Sequence, residues 1–520
     1  MILDNKNHAR PQVAKKNLGS KKTSSLWYPF LIAAYPVLGL LAYNLGQARP
    51  AAGLRPMAAA ILVAAILLCL LRLLLRDWHR AAFVASVWMG LMEAYGHVYE
   101  SLQEKAPEIG TNSLLGGVSL LLGAAALFAA SRPRVKVEAW ASSLNVAALA
   151  LVAFPLAQIL WYEVNLGGAD SVKASAPVAQ VAGAKPDIYY IVLDMYTRAD
   201  TLEKAYGYDN SEFLGGLEQM GFSVAECSMS NYTRTELSLA SSLNMTYITS
   251  ALDKRITKDS LARSPMWNLI RDNAAMQYAQ AHGYKTVAFA TGFPWSELDN
   301  ADQYYEPDPL RGGLTEFESL WLDTTAFRVL EDEGVLDVRP IAFARFRERT
   351  EFVLDTLPAI AQDDEPTFAF VHLILPHPPF VFAADGGPSD PLTFLNESEK
   401  YPAGKFAEGY TAQVTFANRE ITRIVREIIA SSDTPPVIIL QGDHGPWLQP
   451  KERHMTILNA YYLPGHEGLI APDMSPVNTF RLVFDLYLGG DFGLLQNISY
   501  YSPVPKQYDF SVVPNNCRPR

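Results

Sequence analysis

The sequence predicts an α/β protein living in two solvents. An N-terminal bundle of about five transmembrane helices precedes a domain built on a largely parallel sheet with helices on both faces. Three observations predict it. Apolar residues crowd into roughly the first 160 positions although the whole chain is only 49% hydrophobic, while later charge is spread as in soluble proteins. Beyond that point, short β-branched or aromatic runs alternate with longer stretches of helical period. The length of 520 residues also exceeds what one hydrophobic core organises.

Five apolar stretches, at about 26 to 47, 57 to 76, 81 to 98, 114 to 131 and 139 to 161, are each near the roughly 20 residues that cross about 30 Å of hydrocarbon. The first has a long apolar core, is followed by further spans and lacks a small-residue cleavage site after Gly46, so it reads as a retained anchor. Lys6, Arg10, Lys15, Lys16, Lys21 and Lys22 precede it; Arg72, Arg76 and Arg80, then Arg132, Arg134 and Lys136, fall in the connections on the same side. Only Arg49, Arg55 and Lys105 lie in the opposite connections. The positive-inside rule therefore gives a cytoplasmic N-terminus, and five crossings place the C-terminal domain on the extracytoplasmic (periplasmic) side of the cell (inner) membrane. Glu93 and His97 share a helical face in the third stretch. Their place near its outer end reads as interfacial solvation, with a functional intramembrane pair as the other reading.

The expected organisation is a cytoplasmic basic tail over 1–25, the transmembrane domain over 26–162, a linker over 163–185 and an extracytoplasmic domain over 186–520. The linker is small and polar, with scattered Ala, Pro and Ser. A net charge of -11 and a pI near 5.4 exclude a nucleic-acid binder, which needs a concentrated basic surface. Of three cysteines, Cys69 lies in an apolar span, so at most Cys227 and Cys517 form one bridge.

In the C-terminal domain, Asp187 to Leu193, Lys285 to Ala290, Phe368 to Leu375 and Pro436 to Leu440 read as strands. Ala342 to Ala361 and Phe406 to Ala430 read as amphipathic helices. Ligands of parallel sheets bind beyond the carboxyl ends of the strands. Those ends carry Asp194, the Asp443-His444 pair, and His372 running into His377. Two carboxylates and an imidazole gathered at one edge repel or lie unpaired unless a cation joins them. Mixed oxygen and nitrogen donors suit zinc or manganese, whereas magnesium or calcium prefers oxygen alone. Singly, each residue also has a plain structural reading, as a helix cap, a turn or a packed histidine.

The segment from Asn231 to Asn244 puts Thr235 just ahead of a short helical pattern. A hydroxyl there meets the positive end of the helix dipole and free backbone N–H groups, which bind a phosphoryl or sulfuryl anion. A metal would also activate it as a nucleophile. A Thr N-cap without chemistry is the structural alternative, and Thr233 is the rival hydroxyl.

With Pro186-Asp-Ile-Tyr-Tyr-Ile-Val-Leu-Asp194, Thr235-x-x-Ser followed by Leu243, His372-Leu-Ile-Leu-Pro-His-Pro-Pro-Phe380 and Gly442-Asp-His-Gly445 in this order, the chain from about Pro186 to Tyr501 resembles the alkaline phosphatase superfamily. The resemblance is to its sulfatase-like branch, which includes lipoteichoic acid synthases and phosphoethanolamine transferases. It implies a three-layer α/β/α domain and one divalent metal held by Asp194, Thr235, Asp443 and His444. It further implies Thr235 as nucleophile, preferred over Thr233 for its spacing to Ser238 and Leu243, and His377 facing the transferring group or leaving oxygen. His372 either assists in substrate binding or is a core strand histidine. The implied substrates are phosphate or sulfate esters of membrane lipid head groups or envelope glycans. Two features depart from the branch. Cys227 begins Cys-Ser-Met-Ser-Asn rather than the Cys-x-Pro-x-Arg of formylglycine sulfatases, and His454 only approximates the histidine that relatives with a second metal place after Asp-His-Gly. A sulfatase or phosphatase of the same superfamily, and a membrane-tethered inactive enzyme used for binding or sensing, are the alternatives. The spans lack the paired broken helices of a transporter.

Overall fold

Each apolar stretch of the N-terminal region forms a helix in the computed structural model. That model describes residues 25–45, 48, 50–165, 185–252, 256–293, 295–307, 314–335, 339–361, 365–390, 404–447, 450–504 and 506–519. The basic tail, save its last residue, and most of the expected linker lie outside the described residues. The helices are α1 (Tyr28–Tyr43), α2 (Leu54–Leu75), α3 (Trp78–Glu93), α4 (Tyr95–Lys105), α5 (Asn112–Ser131) and α6 (Ala141–Asn165). Side-chain caps start two of them: Asp77 Oδ1 accepts the Arg80 amide at 2.9 Å before α3, and Thr111 Oγ1 accepts that of Leu114 at 3.3 Å before α5. Pro50–Leu75, Asn112–Ser131 and Ala141–Val164 are long and apolar enough to cross a membrane, with mean hydropathies of 2.8, 2.0 and 1.9. At 16 residues α1 is apolar but spans only about 24 Å, short of the roughly 30 Å of a hydrocarbon core. The five expected stretches are thus all helical, and length with composition qualifies three of them as spans.

The third stretch is interrupted at Ala94, between α3 and α4. A neighbouring segment causes the break. The Gly96 amide donates out of the helix to the Thr324 carbonyl at 2.8 Å, and a Cβ on Gly96 would stand 2.2 Å from the Asp323 carbonyl oxygen. The approaching segment comprises two short helices, Glu316–Asp323 and Phe327–Asp332. Phe317 and Trp321 join Ala33, Val37, Leu40 and Met89 in one buried cluster. Arg55 pairs with Glu318 at 3.0 Å and Arg328 with Glu100 at 2.9 Å. This contact corrects the expectation for Glu93: it is 1% exposed and accepts the Trp321 indole N–H at 3.2 Å, whereas His97 is exposed and makes no pair with it.

The C-terminal region carries seven strands of one sheet, β1 (Ile188–Leu193), β2 (Ser223–Val224), β3 (Lys285–Phe289), β4 (Gln303–Tyr305), β5 (Thr367–Leu373), β6 (Val437–Gly442) and β7 (Asn459–Tyr462), in the order β2-β7-β6-β1-β5-β3-β4. A hairpin of β8 (Ser499–Tyr501) and β9 (Ser511–Val513) stands apart. The run β6-β1-β5-β3-β4 is parallel, and β7 is antiparallel to both β6 and β2. All six residues of β1 are buried, and they alternate between two cores: Tyr189, Ile191 and Leu193 on one face, Ile188, Tyr190 and Val192 on the other. Residues of the helices Arg339–Ile360 and Lys405–Ser431 cover the first face, and residues of Thr235–Leu243 and Thr479–Tyr487 cover the second. The expected parallel α/β architecture, with helices on both faces, is what forms.

Candidate metal centre and catalytic cleft

Register brings the strand-end residues together. Leu193 of β1 lies opposite Gly442 of β6, so Asp194 and Asp443 leave adjacent strands side by side. His372 of β5 lies opposite Val192 and places Nε2 3.5 Å from Asp194 Oδ2. Two backbone features hold the edge in this shape. Met195 adopts a φ of 66°, uncommon for a residue with a side chain, and its amide donates to Asp443 Oδ1 at 2.9 Å. Gly442 passes so close to Tyr196 that a Cβ would lie 2.3 Å from its carbonyl oxygen.

The donor atoms of Asp194, Asp443 and His444 all lie within 4.8 Å of one another. His444 Nδ1 sits 2.8 Å from the Gly445 carbonyl, which can only accept, so that nitrogen carries the proton. Its Nε2 lone pair then faces Asp194 Oδ1 at 3.8 Å, Asp443 Oδ2 at 3.6 Å and Thr235 Oγ1 at 3.3 Å. Asp194 Oδ1 and Asp443 Oδ2 are buried without a hydrogen-bond partner. Lone pairs converging on unpartnered lone pairs are what a divalent cation reconciles, so these residues fit one. Burial first, then the Asp194 charge, pushes the Asp443 carboxyl above the usual range. Burial also opposes ionisation of Asp194, but His377, His372 and His444 outweigh it and hold its carboxyl low. Burial opposes protonation of His444 as well, and Asp443 and Asp194 outweigh it and raise its pKa.

Thr235 opens the helix Thr235–Leu243, and Ser238 Oγ donates to the Asp443 carbonyl at 2.7 Å, fastening that helix to the strand end that carries Asp443 and His444. This contact gives the Ser of Thr235-x-x-Ser a physical reason. Thr233 points elsewhere, its hydroxyl lying 3.3 Å from Ser502 Oγ. The His377 amide donates to the Asp194 carbonyl at 3.2 Å, its Nδ1 is anchored on the Pro378 carbonyl, and its ring lies 6.4 Å from that of His444. His454 is also brought in: it is buried, its ring lies 5.6 Å from that of His444, and its Nε2 has no partner. Burial, then His444 and Arg234, lowers its pKa to about 3, so it is neutral.

Asp194, Thr235, His377, His444 and His454 line a cleft of about 590 Å³. A larger hollow of about 720 Å³ lies between the Arg198–Lys204 segment and residues 514–518 and contains none of these side chains, so the smaller cleft is the one that gathers the candidate residues. Sequence reasoning missed Arg234, Glu236, Arg263, Trp295 and Tyr501 on its walls. Arg234 and Glu236 flank Thr235 and were readable as neighbours of the candidate nucleophile; the others carry no motif. Cys227 and Cys517 form the one bridge that the cysteine count allowed.

A parallel α/β sheet whose strand ends gather Asp, Asp and His beside a helix-initiating hydroxyl is an arrangement that could hold a divalent ion next to a nucleophile. The chain belongs to the sulfatase family: the Sulfatase model matches residues 186–475, more than half of its length. Its α/β region is that of a sulfatase-like hydrolase or transferase acting from a membrane-embedded chain. Among solved structures, it is similar to the C-terminal periplasmic domain of EcEptC from Escherichia coli in complex with Zn, at 13% identity and a TM-score of 0.44, covering 65% of this chain and 95% of that one. It is also similar to the integral membrane lipooligosaccharide phosphoethanolamine transferase A from Neisseria meningitidis, at 13% identity and a TM-score of 0.39, covering 89% of this chain and 94% of that one. The lipoteichoic acid synthase LtaP from Listeria monocytogenes matches at 17% identity with a TM-score of 0.37, covering 63% of this chain and 79% of that one. No curated protein matches the sequence.

Proposed function

We propose that the chain is a membrane-anchored, metal-dependent phosphotransferase or hydrolase that acts on phosphate esters of lipid head groups or envelope glycans through Thr235. One observation carries the reading. Thr235 Oγ1 lies 3.3 Å from the His444 nitrogen that completes the Asp194 and Asp443 donor cluster, at the start of a helix whose free N–H groups favour an anion. Asp194, Asp443, His444 and Thr235 would hold the ion, and their mixed oxygen and nitrogen donors favour zinc or manganese over magnesium or calcium. Bound there, the ion would lower the hydroxyl pKa and offset charge on the phosphoryl oxygens.

Thr235 Oγ forms a bond to phosphorus while the bond from phosphorus to the leaving oxygen breaks. The hydroxyl proton passes to water, and His377 returns one to the leaving oxygen. Because His377 Nδ1 is committed to the Pro378 carbonyl, Nε2 is the nitrogen that exchanges this proton. An acceptor hydroxyl or water then attacks the phosphothreonine, and Thr235 leaves with its proton restored. Neutral His454, its Nε2 unpartnered, would offer a lone pair to a second ion.

The basic-residue asymmetry supports a cytoplasmic N-terminus and an extracytoplasmic catalytic domain over 186–520, joined by a linker over 163–185 to a transmembrane domain over 26–162. The bundle geometry agrees with it. The α/β region touches the start of α2 at Arg55, the end of α3 at Glu93 and the start of α5 at Asn112, at the bundle end opposite Arg72 to Arg80 and Arg132 to Lys136. A sulfatase acting through formylglycine is disfavoured because Cys227 is committed to its bridge with Cys517.

The test is turnover of a chromogenic phosphodiester, phosphomonoester and sulfate monoester by Thr235→Ala with added zinc or manganese. Loss of phosphodiester turnover by about 10³-fold is expected, and undiminished turnover removes Thr235 from the role. Mass spectrometry of the trapped threonine adduct names the transferred group.

A further inference from the structure

The charges lining the cleft balance except for one. Asp194 and Asp443 belong to the cation ligands, and Glu236 is paired with Arg263 at 2.9 Å, their side chains 3% and 23% exposed. Arg234 also lines the cleft, yet it forms no ion pair among the described residues, and its Nη2 is buried without a hydrogen-bond partner. Arg234 is half-buried, and a buried N–H of a charged group is costly unless an acceptor arrives from outside.

Geometry separates this acceptor from the group attacked by Thr235. Arg234 has extended backbone, φ −133° and ψ 143°, immediately before the helix. Adjacent side chains at a helix start do not face each other, so the guanidinium and Thr235 Oγ1 enter the cleft from different points of its wall. The charged and phenolic groups that act on it most are Glu236, Arg263, Tyr501 and Tyr508, and it acts in turn on His454. Arg263 in turn lies over the Trp295 ring at 4.7 Å, which fixes the far wall.

Resting on the proposed reaction, we infer that Arg234 forms a second anion subsite, which holds a non-reacting oxyanion that the substrate carries beside the ester attacked by Thr235. A planar fork of N–H donors pairs best with carboxylate or phosphate oxygens, so the substrate class narrows to phosphate esters bearing a further phosphate or carboxylate group.

The experiment uses the full-length, zinc-loaded protein and two chromogenic phosphodiesters with the same leaving group, one without further charge and one with an added phosphate. The readout is the ratio of their kcat/KM values. Arg234→Gln is expected to lower the preference for the doubly anionic ester by about tenfold or more, and Arg234→Lys to restore part of it. An unchanged ratio overturns the subsite, because Arg234 then serves the reacting group or the fold. If the wild-type protein turns over neither ester, the reaction reading fails, and the subsite is decided by calorimetry with methylene bisphosphonate and inorganic phosphate. Weaker binding of the bisphosphonate alone by Arg234→Gln upholds it, and equal affinities for both proteins overturn it.

Discussion

The N-terminal helices and the C-terminal sheet treat the same side chains in opposite ways. In β1 every residue from Ile188 to Leu193 is at most 1% exposed, whereas Leu73, Leu120 and Val164 of the helical region are 76%, 76% and 81% exposed. One region meets water and hides its apolar groups; the other presents them, which is stable only against lipid. Buried acids repeat the contrast. Glu93 at the seam between the regions is a lone acid with the Trp321 N–H on one oxygen and no partner on the other, while Asp194 and Asp443 at the sheet edge, each also with one unpartnered oxygen, face one another and the His444 lone pair. A lone buried carboxyl can stay neutral, whereas converging carboxylates and an imidazole lone pair are the arrangement that a cation joins.

The largest effect that would sharpen this contrast is at the sheet edge. Asp443→Ala is expected to lower turnover by about 10³-fold, since a metal ligand supplies several kcal/mol of transition-state stabilisation. Asp443→Asn, stripped of metal, should melt no lower than the wild-type apoprotein, because it removes the repulsion with Asp194. A clear fall in its melting temperature would show that the pair is stabilising without a cation. Next, Ile439→Ala in β6 should cost about 2–5 kcal/mol in denaturant unfolding, while Leu120→Ala in α5 should cost less than about 0.5 kcal/mol in lipid or detergent. Comparable losses at both positions would break the two-solvent reading.

At the seam, Gly96→Val forces a Cβ into the Asp323–Thr324 backbone and should weaken the contact by about 1–3 kcal/mol, read as faster tryptic cleavage at Arg328. The smallest effect is pH-dependent. Burial works against ionisation of Asp200, but Arg198 and Lys204 outweigh it and lower its pKa to about 2. A folded-state pKa below the unfolded one contributes stability above about pH 4 that is lost as pH falls toward 2. The wild type should therefore outlast Asp200→Asn by less than about 1 kcal/mol at pH 7, with the gap closing below pH 4.

The strands, the two long helices and the strand-end residues were legible because each follows from local pattern: apolar runs bounded by turns, and Asp or His just past them. Asp194, Asp443, His444 and Thr235 converge as their order implied, and the five apolar stretches became helices. The break at Ala94 was not legible, since it depends on Thr324, more than two hundred residues away, and Gly96 gives no signal alone. Glu93 was misread for the same reason, its partner Trp321 belonging to a distant amphipathic helix. Arg263 and Trp295 reach the cleft from segments without motif or period, so only folding reveals them.

The most direct measurement is anomalous scattering from crystals of the full chain grown with zinc or manganese. A peak within about 2.0–2.3 Å of Asp194, Asp443 and His444, bordering Thr235 Oγ1 and absent in Asp443→Ala, is the expected result. Density for an ordered cleft without a peak between Asp194 and Asp443, in protein that turns over phosphodiesters, would contradict the account.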